Sequence, residues 1–158
     1  MKIISIDPGY ERVGIAVLEK NSGREELIFS ECFKTLATEK HEERLKLISE
    51  EIEKIIKKYK PETLAIETLF FKTNAKTVMK VSEARGVILY TAARCALTVK
   101  EFTPLQIKVA VTGYGKSDKS QTTEMVKRLI KIPKPIKYDD EYDAIACGLT
   151  FFASTRTY

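Results

Sequence analysis

Four carboxylates stand out in this chain for their place in the apolar pattern: Asp7, Glu67, Asp140 and Asp143. Asp7 closes the β-branched run Ile3-Ile4-Ser5-Ile6 and is followed at once by Pro8-Gly9. Glu67 interrupts the apolar run Thr63 to Leu69 in the same way. A charge at the end of a buried strand is costly unless a counter-ion meets it. Asp140 and Asp143 fall in the first turn of an otherwise apolar helical segment, where a spacing of three puts them on one face. Plainer roles exist for each, because Asp opens β-turns and first-turn acids suit the helix dipole. The dipole accounts for Asp139, Asp140 and Glu141 better than for Asp143, which points the same way as Cys147. Four converging carboxylates repel one another unless a cation sits among them. Hard oxygen donors without His or Cys suit Mg²⁺ or Mn²⁺. Such a set can hold two ions about 3.5–4 Å apart and drive in-line attack on a phosphodiester, one ion activating water and the other stabilising the leaving oxygen. On this reading all four acids are both metal ligands and catalytic groups.

The cations fit the same chemistry. Lys72, Lys76 and Lys80 recur every four residues just after Glu67, while Lys108, Lys116 and Lys119 flank the turn Thr112 to Gly115. They are spaced to meet phosphates around an acidic centre, although Lys76 and Lys80 alone also suit a solvated helix face. The adjacent aromatics Phe70 and Phe71 are either a core plug or a platform that stacks on, or wedges between, bases. A formal charge of +5 on 158 residues leans towards a polyanionic partner. The length suits one domain, residues 1–158. Cys32, Cys95 and Cys147 have neither zinc-ligand spacing nor a disulfide framework, and read as core residues in a reducing cytosol. The single histidine, His41, lies in a charged segment and reads as a surface residue, so histidine triads and histidine-ligated zinc are disfavoured. Neither a signal segment nor a bilayer-spanning stretch is expected, which points to the cytoplasm. Ala110 to Ser117 (AVTGYGKS) loosely resembles a phosphate-binding loop, but the residues after it are patterned as helices and offer no strands for such an ATPase.

The elements that must position these groups follow from periodicity. Ile3 to Ile6, Val13 to Leu18 and Glu26 to Lys34 predict an antiparallel meander, with Asn21-Ser22-Gly23 as a hairpin turn. Thr38 is the expected N-cap of a helix whose stripe is Leu45, Ile48, Ile52, Ile55 and Tyr59, ended by Pro61. A strand over Thr63 to Leu69 leads to a long helix from Asn74 to about Ala96. Its apolar residues fall on two sides, one with Val78, Val81, Ile88, Ala92 and Cys95, the other with Met79, Gly86, Leu89 or Tyr90, and Ala93. The second side suits either a buried position in the monomer or a second subunit. A strand at Leu97 to Phe102 and helices from Pro104, from Ser117 or Asp118, and from Asp139 complete the chain. Met125, Val126, Leu129 and Ile130 are expected inside. The order predicts an α/β fold: a mixed five-stranded sheet with an antiparallel edge and helices on both faces.

Taken together, these motifs resemble the RuvC family of Holliday-junction resolvases over nearly the whole chain. Ile6-Asp7-Pro8-Gly9 with Gly14 resembles the first acidic motif, and Ala65-Ile66-Glu67 with Phe70 and Asn74 the second. Ala84-Arg85-Gly86 occupies the family's place on the long helix. Gln106-Ile107-Lys108, Val111-Thr112-Gly113 and Lys119-Ser120-Gln121 resemble the DNA-contacting segment, and Asp140 with Asp143-Ala144 the closing acids. Small residues are common between those acids, where this chain has Glu141-Tyr142. Asp140 is preferred to Asp139 because only it keeps the three-residue spacing to Asp143. The resemblance implies an RNase H-like three-layer fold, a homodimer, and Mg²⁺-dependent paired nicks across four-way junction DNA in homologous recombination and DNA repair. It also implies Phe70 as a junction wedge, Lys108 and Lys119 as DNA contacts near the cut, and the branch-migration proteins RuvA and RuvB as partners. Two other readings are a non-catalytic nucleic-acid-binding module of the same fold and an actin-like ATPase, which needs two such units.

Overall fold

The computed structural model describes residues 1–69 and 75–155, without the side chains of Ala75 and Lys76. Phe70, Phe71, Lys72, the expected cap Asn74 and the side chain of Lys76 lie outside the described residues.

The meander forms as β1 (Lys2–Asp7), β2 (Arg12–Asn21) and β3 (Arg24–Lys34). Ser22 and Gly23 both take positive φ in the β2–β3 turn, the left-handed pair that matches strand twist in a two-residue hairpin. Then follow α1 (His41–Tyr59), β4 (Thr63–Glu67), α2 (Ala75–Arg94), β5 (Thr98–Phe102), α3 (Pro104–Thr112), α4 (Lys119–Leu129) and α5 (Asp139–Ser154). The strands lie in the order β3-β2-β1-β4-β5. β1 pairs antiparallel with β2 and parallel with β4, and β4 pairs parallel with β5. This is the mixed five-stranded sheet that the periodicity predicts. Its two faces carry separate cores. One joins Ile3, Ala16, Leu18 and Ala65 to α3, α4 and α5, and the other joins Ile4, Ile6, Val17 and Ile66 to α1 and α2.

Strand alternation then dictates where the acids point. Ile4 and Ile6 face α1 and α2, so Asp7, one residue on, faces α5. Ile66 pairs with Ile6, so Glu67 emerges beside Asp7 on the same face. Two glycines let α5 approach. A Cβ on Gly148 would lie 2.6 Å from a Leu18 methyl and 2.8 Å from Ser5 Oγ. A Cβ on Gly14 would lie 1.9 Å from the Asp140 carbonyl oxygen. The first turn of α5 therefore rests directly on β2, beside the end of β1.

Several expectations need correction. Helix α1 starts three residues after Thr38, at His41, with Lys40 as an N-cap that makes no side-chain bond. Thr38 sits instead in a turn that closes on itself, where Glu39 accepts from the Leu36 amide through its side chain at 3.2 Å. Leu129 is exposed rather than inside, and Thr122 takes the inner position with Val126 and Ile130. His41 lies at the surface as expected, its side chain 41% exposed, and there its Nδ1 meets the Tyr10 hydroxyl at 2.7 Å and its Nε2 meets Glu83 at 2.8 Å. Cys147 is buried as expected, while Cys32 and Cys95 are only partly so, and all three are free thiols. On α2, Ala84, Ile88 and Ala92 are buried, whereas Met79 and Tyr90 are exposed at 64% and 63%. The second apolar side of α2 thus faces outward from the chain.

Candidate active site

Asp7 and Glu67 end neighbouring parallel strands, and α5 lays Asp140 and Asp143 across those ends. The electrostatics record the convergence. Burial and the charges of Asp143, Glu67 and Asp140 hold the Asp7 carboxyl well above its usual range. Burial and Asp143 push Glu67 up to about 7. Burial raises Asp143 too, against the lowering pull of its hydrogen bond from Lys119. Three acids that resist ionising together mark a site with unmet demand for positive charge.

Two side chains meet part of that demand. Lys119 Nζ lies 2.9 Å from Asp143 and 2.5 Å from Asp139. Burial works against its charge, but the bonds from Lys119 to the two acids outweigh this and raise its pKa. Arg12 Nε lies 3.2 Å from Asp140 Oδ2, a buried oxygen with no hydrogen-bond partner. Asp139 shares Lys119 with Asp143 and is about half exposed, with its carboxyl lowered chiefly by the Lys119 hydrogen bond. Among the described residues no three His, Cys, Asp or Glu groups are already arranged as a closed metal cage. The donor set nevertheless fits a hard divalent cation: carboxylate oxygens, repelling one another, one of them buried and ion-paired with Arg12 but without a hydrogen bond. Neither thiol that feels these acids is a thiolate nucleophile. Cys32 is pushed up to about 11 by burial and by Asp140, and burial holds Cys147 well above the ordinary thiol range.

The acids are flanked on two sides. A cleft of about 240 Å³ is lined by Glu67, Pro104, Ile107, Lys108, Lys119, Thr122 and Asp143. Two capping boxes fix its walls, Thr103 with Gln106 on α3 and Asp118 with Gln121 on α4, so Lys119 opens a rigid helix. On the far side of Asp140 lies a second cleft, of about 390 Å³, lined by Tyr10, Arg12, Thr77 and Lys80 among others. The expected cations thus separate. Lys108 and Lys119 stand at the first cleft and Lys80 at the second, 5.3 Å from the Tyr10 ring, while Lys116 is exposed in the α3–α4 turn and lines neither. Arg85 donates to the Glu67 carbonyl at 3.3 Å and pairs with Glu101, tying α2 to the ends of β4 and β5.

Sequence reading missed Arg12 and the residues around Tyr138. Lys34, Arg12 and Lys137 all approach the Tyr138 ring, at 3.6, 5.5 and 5.4 Å from its centroid. The one available signal was the meander itself, which sets Arg12 opposite Lys34 once its register is known.

Comparison with known proteins agrees with this geometry. The family model described as crossover junction endodeoxyribonuclease RuvC matches residues 3–151. Among curated proteins, the crossover junction endodeoxyribonuclease RuvC of Thermosipho melanesiensis is 44% identical over 99% of this chain and 99% of its own. That of Prochlorococcus marinus (strain NATL1A) is 43% identical over 95% of this chain and 97% of its own. Among solved structures, T. thermophilus RuvC in complex with a Holliday junction substrate superposes with a TM-score of 0.91 at 28% identity, covering 99% of this chain and 95% of that one. The yeast mitochondrial Holliday junction resolvase Ydc2, 13% identical with a TM-score of 0.70, shares the fold. The chain belongs to the RuvC family of crossover junction endodeoxyribonucleases.

Proposed function

We propose that this endonuclease resolves four-way DNA junctions by paired symmetric nicks, and that Asp7, Glu67, Asp140 and Asp143 hold the divalent cations that make it work. The observation that carries the reading is the meeting of these acids on one face at the ends of β1 and β4, beside a cleft lined by Lys108 and Lys119. Two Mg²⁺ ions suit four carboxylates, and Mn²⁺, with the same ligand preference, can substitute. Bound there, they would lower the pKa of the attacking water and offset charge on the leaving 3′ oxygen. Cleavage of that bond leaves 5′-phosphate and 3′-hydroxyl ends. The chain's own residues orient the strand. Lys108 and Lys119 bind phosphates in the first cleft, and Lys119 shifts its charge from Asp143 to the DNA as the acids take up cations. Lys72, Lys76, Lys80 and Lys116 extend the contact to the junction arms, and Phe70 wedges at the crossover, three residues beyond Glu67.

Two nicks related by symmetry require two sites. The exposed side of α2, with Met79 and Tyr90 alongside the small residues Gly86 and Ala93, supports a homodimer. We place the activity in homologous recombination and DNA repair in the cytoplasm, with RuvA and RuvB as branch-migration partners. Residues 1–158 act as one nuclease domain. No described helix is long and apolar enough to cross a membrane.

The test is incubation with a synthetic four-way junction and a linear duplex of the same sequence, each in Mg²⁺ and in EDTA. Symmetric nicks in the junction alone, with metal alone, are expected. Tight junction binding without cutting under any divalent ion would assign the chain to a non-catalytic binding module.

A further inference from the structure

The second flank of the acids carries cations that the reaction scheme leaves unused. Arg12, at the start of β2, and Lys34, at the end of β3, are directly paired in the hairpin register. Both reach the Tyr138 ring, which sits immediately before α5, and Lys137 reaches it from the preceding connector. Lys34 also donates to the Tyr138 hydroxyl. Three cations gathered within 5.5 Å of one ring repel one another, so their nearness is an electrostatic cost that the ring only partly offsets. Arg12 has Asp140 as a partner. Lys34 and Lys137 have no carboxylate within 4.0 Å among the described residues. The phenol between them is lowered from its ordinary pKa, first by the Lys34 hydrogen bond.

Position gives this cluster its meaning. It borders Asp140 on the side opposite Lys108 and Lys119, next to the cleft that holds Tyr10 and Lys80. We propose that Arg12, Lys34 and Lys137, assembled around Tyr138, form a second phosphate-binding cradle that grips the DNA backbone on the far side of the scissile position. With Lys108 and Lys119 gripping the near side, the strand is held across the acids at two points rather than one. The cradle recognises phosphodiester charge and carries no base reading. This inference rests on the assignment of the four acids as the cutting site. It adds three cations to Lys80 on the flank away from Lys108 and Lys119.

The test uses the full chain with Lys34 and Lys137 both changed to Ala, two exposed residues whose loss leaves the core intact. A control carries Lys57→Ala with Lys58→Ala, exposed cations at the end of α1, at the opposite end of the sheet. Junction affinity is measured in EDTA across a salt series, and single-turnover cleavage in Mg²⁺ at saturating protein. The Lys34/Lys137 variant should bind roughly three- to tenfold more weakly, with the slope of log affinity against log salt shallower by about 1.8, since each phosphate no longer met removes about 0.9. Its cleavage rate at saturation should fall as well, because the strand is then held across the acids at one point rather than two. An unchanged salt slope, or an equal loss in the Lys57/Lys58 control, would overturn the cradle. Whether the unaltered protein cuts in Mg²⁺ is read separately in the same experiment. Absence of cutting with an altered salt slope would retain the cradle and remove the nuclease reading.

Discussion

At Gly14 a single methyl group would displace the first turn of α5 from the site of the four acids. A Cβ there would come 1.9 Å from the Asp140 carbonyl oxygen and 3.3 Å from Asp7 Cβ, so the first turn of α5 would have to lift. Gly14→Ala is therefore expected to lower junction cleavage at least tenfold and to lower the melting temperature, on the order of 1–3 kcal/mol of overpacking. Kinetics and a thermal melt on the same preparation check both. Glu67 carries a second prediction. Its pKa in the fold, about 7, exceeds its ordinary 4.5, so the metal-free fold binds this proton more tightly than the unfolded chain does. The resulting stability is complete below about pH 4.5 and is lost as pH rises through 7. In EDTA the melting temperature should fall between about pH 5 and about pH 8, and Mg²⁺ should restore more of it at the upper end than at the lower. A flat profile would contradict the crowding of these carboxylates. The unusual setting of Asp7 and Glu67 was legible from sequence because each interrupts an apolar strand. Arg12 was not, because its value comes from lying across the sheet from Lys34 and beneath the start of α5.

Among the elements, α5 and α4 do the positioning. α5 is anchored along the sheet by Ile145, Cys147 and Phe151, and at Glu141, which accepts from Ser30 Oγ at 2.5 Å and pairs with Lys134 at 2.8 Å. α4 begins at Lys119 only because Asp118 caps it. Asp118→Ala should cost about 1 kcal/mol. By loosening Lys119 it should also weaken junction binding, whereas a remote cap of equal worth would move stability alone. Chemical denaturation and a binding titration separate the two. Most elements were legible, since the meander, the helix starts at Pro104 and at Ser117 or Asp118, and the α1 stripe are local patterns. The start of α1 was not. Thr38 has the right chemistry for a cap, but the turn at Leu36 to Glu39 satisfies the backbone first. The outward side of α2 shows the same limit from the other direction, because periodicity reveals an apolar face without telling what covers it.

For the molecule as a whole, distribution of charge matters more than its sum. A net +5 includes four acids drawn to one end of the sheet, with Lys108 and Lys119 on one flank and Arg12, Lys34 and Lys137 on the other. Paired cutting further requires two such ends in one assembly. Light scattering at micromolar concentration should give a dimer mass, and Tyr90→Glu on the exposed side of α2 should shift it towards monomer. A wild-type monomer would remove the symmetric mechanism. The α/β class and the mixed sheet with its antiparallel edge were legible because crossover rules leave few arrangements for this order of elements. The assembly was not, because it depends on surfaces between chains. The most direct test takes Asp7→Asn, Glu67→Gln, Asp140→Asn and Asp143→Asn, each measured for junction binding and for Mg²⁺-dependent nicking. Removing one carboxylate charge relieves repulsion but withdraws a cation ligand. All four variants should bind junctions at least as well as the unaltered protein and should cut at least a hundredfold more slowly. Undiminished cutting by any one would strike that residue from the site, and lost binding in all four would show that the acids maintain the fold rather than the chemistry.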